Sequence, residues 1–190
     1  MQKIKQIEKR IGAIQKRKAK VEKFSNRWKY YGQIVAKLHS RIARIRRDFL
    51  HKASSELSKN HGAIVMEDLC VKNMSKSSSG TQGDPGKNVA QKSGLNKAIL
   101  RQGWGSFRMM MEYKTKWYGS QLIFVNPKNT SRRCHQCGYT HEDNRQTQAD
   151  FLCQECGHNE NAVKNAANNI RRLGLESLGR KPLEAPAIAC

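Results

Sequence analysis

The chain has 190 residues, 37% of them apolar, and its 36 Lys and Arg against 15 Asp and Glu give a formal net charge of +21. This length suits one domain with an insertion or two small domains, and it excludes a large enzyme. The positive excess points first to phosphate backbones, and no apolar run approaches the roughly twenty residues that a membrane span requires. No secretory signal is visible, so we expect a cytoplasmic nucleic-acid-binding protein with no membrane partner.

Residues 1–60 show the apolar spacing of two helices. Isoleucines recur every three or four residues from Ile4 to Ile14, and a second stripe runs from Tyr31 to Phe49. Ser25 and Asn26 favour helix caps over helix interiors, so the pattern predicts a helical hairpin that turns there.

The predicted hairpin carries most of the positive charge. Up to Lys52 it holds 17 Lys and Arg against Glu8, Glu22 and Asp48, which is two-thirds of the net charge. A solvated helix face normally mixes both signs, so this one-sided face favours contact with nucleic-acid phosphates, with simple solvation as the alternative. The candidate contact residues are Lys16, Arg17, Lys18, Lys20, Arg41, Arg44, Arg46 and Arg47.

Two short apolar runs in residues 61–128 predict buried strands, at 63–66 and 121–125. Glu67 follows the first run, and a carboxylate at the carboxyl end of a strand is well placed to hold a divalent metal ion. Acidic residues at strand ends are also common without function, so both readings stay open for Glu67. Between the strands, the composition predicts a mobile loop at 75–93 and a helix at 95–118 that bends near Gly103.

The spacing of four cysteines by itself indicates a metal-binding site. Cys134 and Cys137 form one pair, and fifteen residues later Cys153 and Cys156 form another. Two residues between paired cysteines let a tight turn aim both thiolates at one tetrahedral zinc ion, and the glycine after each pair supplies a positive φ angle. Two disulfides are the alternative, but they require an oxidising compartment. We therefore predict a structural zinc ribbon at 129–158.

The last predicted element is a helix at 159–174, with Gly174 as its terminator and four asparagines, Asn161, Asn165, Asn168 and Asn169. Asparagine lowers helix propensity, so these residues indicate a polar site, nucleic-acid contact or exposed filler. Residues 175–190 lack periodicity, and we expect a disordered tail.

Several motifs in order resemble the TnpB (OrfB) family: Ile64-Val65-Met66-Glu67-Asp68-Leu69, Trp104-Gly105-Ser106-Phe107, Asn126-Pro127, the four cysteines and Asn161-Ala162. Members of this family are insertion-sequence-encoded, RNA-guided DNA endonucleases related to type V CRISPR effectors. The resemblance is to their carboxyl-terminal part. It implies an α/β fold, an incomplete RNase H-like (RuvC) domain with a basic helical hairpin and an inserted zinc ribbon.

The resemblance also implies an active site of three carboxylates that hold Mg²⁺. Glu67 matches the second carboxylate, whereas the first would lie upstream of Met1. The third belongs to an Asn-Ala-Asp motif, and this sequence has Val163 at the matching position. Metal-dependent hydrolysis needs several oxygen ligands, so one carboxylate of three is not sufficient. Glu160 lies three residues before Val163, about one helical turn away on a similar face, and is the candidate substitute for the third carboxylate.

The resemblance therefore predicts a truncated, cleavage-incompetent TnpB-like protein that binds guide RNA and DNA, with structural Zn²⁺ as its cofactor. A further chain would have to supply the missing amino-terminal lobe. Two other functions stay open at this point. In the first, the chain would be one half of a split RNA-guided nuclease. In the second, it would be a basic zinc-ribbon structural protein that binds RNA.

Overall fold

The computed structural model of the protein describes residues 2–179. In chain order they form α1 (Gln2–Lys18), α2 (Asn26–Asn60), β1 (Ala63–Glu67), α3 (Val71–Met74), α4 (Val89–Gln102), α5 (Trp104–Tyr118), β2 (Gln121–Val125), β3 (Asp150–Leu152), β4 (Asn159–Asn161) and α6 (Ala162–Ser177). None of the helices in this range is both long and apolar enough to cross a membrane.

The amino-terminal helices form the predicted hairpin. Ser25 caps α2 by accepting a hydrogen bond from the Trp28 N–H at 3.3 Å, so the turn lies where the sequence predicts it. The two apolar stripes meet in a small core of their own, formed by Ile7, Ile11, Ile14, Leu38 and Ile42. Phe49 departs from its predicted stripe, because 68% of its surface is exposed.

Both predicted strands are present, and they pair in parallel with Ala63 opposite Gln121 and Glu67 opposite Val125. Their carboxyl ends therefore lie side by side. The strands are only partly buried along most of their length, which differs from the buried strands that their apolar composition predicts.

Helix α5 leads into β2 and packs against α2. Gly103, with φ of 73°, separates α4 from α5 and confirms the predicted break. Lys114 of α5 is buried and donates hydrogen bonds to the His51 carbonyl, Ser54 Oγ and Ser55 Oγ of α2 at 2.6 to 2.8 Å. Burial, followed by the nearby charge of Lys59, lowers the pKa of Lys114.

Two predicted boundaries are wrong. Helix α4 begins at Val89, inside the loop predicted at 75–93, and the Lys92 ammonium group donates to the Met74 carbonyl at 2.8 Å. Helix α6 continues past Gly174 to Ser177, into the predicted tail at 175–190; residues 180–190 lie outside the described residues. A Cβ atom on Gly174 would overlap the Val65 side chain, so this glycine permits close packing of α6 on β1 instead of ending the helix.

Candidate functional site

The two cysteine pairs form matching turns. In the first, the Gly138 N–H donates to the Cys134 carbonyl at 3.0 Å, and in the second the Gly157 N–H donates to the Cys153 carbonyl at 3.0 Å. Both glycines have positive φ angles, 81° and 69°, as the sequence predicts. Strands β3 and β4 pair antiparallel beside the second turn, so this unit, which we term the cysteine segment, spans residues 129–161. Its boundary lies three residues beyond the predicted zinc ribbon.

The four thiols converge. The distance from Cys134 Sγ to Cys156 Sγ is 3.8 Å, that from Cys137 Sγ to Cys153 Sγ is 3.5 Å, and all four sulfur atoms lie within 4.8 Å of one another. A tetrahedral zinc ion with Zn–S bonds of about 2.3 Å separates its sulfur ligands by about 3.8 Å. None of the four cysteines forms a disulfide. This geometry is compatible with structural zinc.

The surroundings of the thiols affect their ionisation in different ways. Burial opposes ionisation of Cys153, but the backbone N–H groups of Cys156 and Glu155 and the neighbouring thiols lower its pKa to about 7. Burial is the largest influence on Cys134, and its pKa is raised. A thiolate is the form that binds zinc, so the backbone N–H groups around Cys153 favour the metal-binding form of that residue.

Two buried asparagines of α6 hold the first cysteine turn. Asn165 Oδ1 accepts from the His135 N–H at 3.0 Å, and Asn165 Nδ2 donates to the Arg133 carbonyl at 2.8 Å. Asn169 Nδ2 donates to the carbonyls of Arg133 at 2.7 Å and Thr130 at 2.9 Å. The prediction of nucleic-acid contact or exposed filler is therefore wrong for these two residues, which are at most 1% exposed. Their spacing of four residues, one face of a helix, is the sequence signal that identifies them.

The amino-terminal end of α6 carries the position matched to the family's third carboxylate. Asn161 is the helix cap, because its Oδ1 accepts from the N–H groups of Val163 at 2.9 Å and Lys164 at 3.4 Å. Val163 follows in the first turn and is 63% exposed. Its side chain offers no ligand atom for a metal.

Glu67 ends β1, as predicted, and its carboxylate is held in place. Thr130 Oγ1 donates to Glu67 Oε1 at 2.6 Å. The neighbouring Asp68 forms an ion pair with Arg108, which also binds Glu112 at 3.0 Å. The hydrogen bonds to Asp68 and Glu112 raise the pKa of Arg108 above its ordinary value. At the strand end, Asp68 is therefore occupied by its ion pair with Arg108, whereas Glu67 accepts its hydrogen bond from the neutral Thr130 hydroxyl.

Glu160 does not occupy the place that helical spacing predicts. It lies in β4, opposite Phe151 of β3, and not on the first turn of α6 with Val163. Its Oε2 atom lies 3.4 Å from His135 Nδ1 and 3.5 Å from His158 Nε2. The three-residue strand Asn-Glu-Asn has no β-sheet signal of its own, which explains why the sequence alone places Glu160 in the helix.

The basic residues proposed for nucleic-acid contact divide into two groups. Six are exposed on the hairpin: Lys16, Arg17, Lys20, Arg41, Arg44 and Arg47. The other two have internal partners. Lys18 Nζ lies 3.7 Å from the centre of the Trp28 ring, and Arg46 forms an ion pair with Glu8 at 3.6 Å.

Two known protein families each match one part of the chain. Residues 1–78 match the OrfB family described as a probable transposase, and residues 104–170 match the Cas12f1-like TNB domain. A putative RNA-guided DNA endonuclease, InsQ of Escherichia coli K12, is 48% identical over 167 residues. This match covers 88% of the chain and 42% of InsQ. The chain belongs to the TnpB (OrfB) family.

Other similar proteins agree with TnpB membership. A putative RNA-guided DNA endonuclease of Streptomyces pristinaespiralis is 34% identical over 74% of the chain and 31% of its own length. The chain thus spans less than half the length of these TnpB relatives. The cryo-EM structure of a CRISPR-Cas12f ternary complex aligns with a TM-score of 0.59 at 23% identity, covering 87% of this chain and 31% of that one. This likeness concerns the fold.

Proposed function

We propose that this chain forms the basic-hairpin and zinc-ribbon part of a TnpB-type RNase H-like (RuvC) domain, and that it binds RNA and single-stranded DNA through their phosphates. The observation that carries this proposal is the hairpin surface, where six exposed cations lie on two packed helices and the turn between them. Neutralising phosphates releases their condensed counterions, and this supplies affinity with little sequence preference.

The proposed partners are a guide RNA and DNA. This part of the proposal draws on the TnpB relatives, which are putative RNA-guided DNA endonucleases, and on the guide-bound type V complexes that share the fold. Recognition by a guide requires a protein that holds the guide–target duplex and opens the DNA strands. These functions belong to the whole proteins, so we propose that this segment acts together with the remaining parts of such a protein, in the same chain or in another.

The proposed zinc ion has a structural role. Four thiolates leave no open coordination position, so zinc bound by Cys134, Cys137, Cys153 and Cys156 would fold the segment and would not activate water. The bonds from Asn165 and Asn169 to the first cysteine turn would then fix α6 against this folded segment.

We further propose that these 190 residues do not cleave DNA by themselves. The residues at the strand end do not fit a three-carboxylate Mg²⁺ site, because Glu67 is the one family carboxylate matched here and Val163 offers no oxygen atom. Glu160 is turned toward two histidines of the cysteine segment. Within residues 2–179, neither group of three or more converging metal ligands includes Glu67.

Glu67 itself favours a second candidate function, one half of a split nuclease. Its carboxylate lies at the carboxyl end of a parallel strand pair, where a second chain would have to add the remaining ligands. Val163 weighs against this function, because a partner chain adds residues but does not replace a side chain of α6. The third candidate, an RNA-binding structural protein, accounts for charge and cysteines but not for the family match.

Nucleic-acid binding is tested by the salt dependence of affinity for an oligothymidylate and for an unstructured RNA of equal length. Replacing Lys16, Arg17 and Lys20 with Gln removes three exposed charges from the hairpin. If each contacts one phosphate, the slope of log K against log salt flattens by about two.

The matched control removes three exposed charges elsewhere, by replacing Lys87, Lys97 and Lys116 with Gln. Both variants lose the same net charge, so a general electrostatic effect changes them equally. Equal slopes for the two variants would mean that these hairpin residues contribute no more than exposed charges elsewhere, which would contradict the proposal.

A further inference from the structure

Two histidines and a glutamate converge beside the thiol site, on the cysteine segment. His135 lies between the cysteines of the first pair, His158 follows the second pair, and Glu160 lies in β4. One ligand atom from each lies within 4.8 Å of those of the other two. The histidine rings meet edge to face with their centres 4.7 Å apart. The three side chains are 15% to 24% exposed, so the cluster is sheltered but not sealed.

The distances within this cluster are too long for good hydrogen bonds. Glu160 Oε2 lies 3.4 Å from His135 Nδ1 and 3.5 Å from His158 Nε2, whereas N–H···O bonds have lengths of about 2.7 to 3.2 Å. His158 Nε2 and Glu160 Oε2 are both buried and lack a hydrogen-bond partner. Buried polar atoms without partners are uncommon, and an unseen ion is one of their established explanations.

We propose that His135, His158 and Glu160 bind a second divalent transition-metal ion, of the Zn²⁺ class, that is separate from the thiol site. Ligands about 2.0 to 2.1 Å from a tetrahedral zinc ion lie about 3.3 Å apart, close to the two observed separations. Imidazole and carboxylate ligands suit zinc and its neighbours among the transition metals. Three protein ligands leave a fourth position for water.

A neighbouring asparagine does not prevent binding. Asn165 Oδ1 lies 3.2 Å from His135 Nδ1 and can accept its proton when no metal is bound. A metal ion takes the lone pair of that nitrogen and moves the ring proton to Nε2. Asn165 Oδ1 still accepts the His135 backbone N–H at 3.0 Å, so the position of the first cysteine turn does not depend on the metal-free bond.

The second ion would make a connection within the cysteine segment that the thiol site does not make. It would connect the first cysteine turn to β4, where Glu160 directly precedes the helix cap Asn161. The amino-terminal end of α6 would then be fixed both by the asparagine bonds and by metal coordination. The proposed metal site is independent of nucleic-acid binding.

The test is a metal titration of the reduced, metal-free full chain with Co²⁺, followed by elemental analysis of the Zn²⁺-loaded protein after dialysis. The first equivalent of Co²⁺ should give the intense thiolate charge-transfer band of a four-cysteine site. A second equivalent should add weaker visible bands without any increase of the thiolate band. Zinc-loaded protein should contain two ions per chain.

Glu160→Gln, which keeps the side-chain size, and the double variant His135→Gln with His158→Gln should each lose the second equivalent and keep the thiolate band. The matched control is Asp143→Asn, because His141 Nδ1 and Asp143 Oδ2 also lie 3.4 Å apart in the same segment but without a third ligand. This variant should still bind two ions.

Three results would overturn the proposal. The first is a single equivalent in the unmodified chain with a complete thiolate band. The second is a second equivalent that survives in Glu160→Gln, which would place it elsewhere. The third is loss of the thiolate band in both ligand variants, which would make the cluster a structural part of the thiol site only.

Discussion

Thr130 Oγ1 donates a hydrogen bond of 2.6 Å to Glu67 Oε1, which ties the carboxylate at the end of β1 to the start of the cysteine segment. The Thr130 carbonyl in turn accepts from Asn169 of α6 at 2.9 Å. A chain of two hydrogen bonds therefore connects β1, the cysteine segment and α6. Because Gln also has an Oε1 acceptor, Glu67→Gln removes the charge without removing this connection.

We predict that the purified chain with Mg²⁺ or Mn²⁺ does not cut DNA, with or without a guide RNA, and that Val163→Asp alone does not change this. Val163→Asp brings the matched family carboxylates to two of three, and these 190 residues contain no counterpart of the other one. The measurement is cleavage of a labelled DNA containing the guide-matched sequence. Cleavage by the unmodified chain that disappears in Glu67→Gln would contradict the prediction.

Cys153→Ser should abolish the thiolate band of the Co²⁺-loaded protein and unfold the cysteine segment locally. Structural zinc contributes about 10 to 16 kcal/mol of apparent binding free energy in zinc-finger peptides, and here that energy would be folding energy. Limited proteolysis should then cut within 129–161 and spare the hairpin, which has its own core. Cys70→Ser, at an exposed cysteine outside the cluster, should change neither result.

Asn169→Ala should lower the free energy of unfolding by about 1 to 3 kcal/mol, because it removes the side-chain donor to the buried Thr130 carbonyl and leaves the Arg133 carbonyl with Asn165 as its side-chain donor. The measurement is denaturant unfolding of the zinc-loaded chain. Asn168, on the same helix but only partly buried, provides the comparison. Asn168→Ala should be neutral or slightly stabilising, since Ala has the higher helix propensity. Equal losses in the two variants would show that the effect does not come from the asparagine bonds.

Gly174→Ala should destabilise the protein by about 1 to 3 kcal/mol, because the new methyl group overlaps the Val65 side chain. Adding Val65→Ala should recover part of this loss, and the double variant measures the coupling directly. Gly12, inside α1, has no atom within 4 Å of a built Cβ. Gly12→Ala should therefore stabilise the protein by about 0.5 to 1 kcal/mol. A similar change at both glycines would contradict the packing argument.

The hairpin, the strands at 63–67 and 121–125 and the thiol cluster follow from local patterns in the sequence. Apolar spacing fixes which face of each helix is buried, and the two cysteine pairs each form a turn from neighbouring residues. A resemblance to the TnpB family, carried by several motifs in order, is confirmed by the family matches. These features depend on residues that are close together in the chain.

The features that could not be predicted from the sequence depend on contacts between residues that are far apart in the chain. Strand β4 is polar and forms because β3 lies beside it, so Glu160 cannot be placed by helical spacing. Gly174 resembles a helix terminator until β1 is known to lie against it. Asn165 is an unfavourable helix residue on its own, and its role is visible only with the backbone that it binds, 30 or more residues earlier.

Asn165 and Asn169 come late in the chain relative to the backbone groups that they bind. During synthesis on the ribosome, these backbone groups are therefore made before the asparagines that pair with them. The partners of Asn169 at Arg133 and Thr130 are made 36 and 39 residues before it. Both cysteine pairs are therefore synthesised before the helix that satisfies the backbone of the first pair. A nascent chain that stalls between Cys156 and Asn165 already contains the four thiols of the cluster, but α6 is not yet present to pair those carbonyls. Such a chain exposes the surface on which α6 packs until that helix is synthesised.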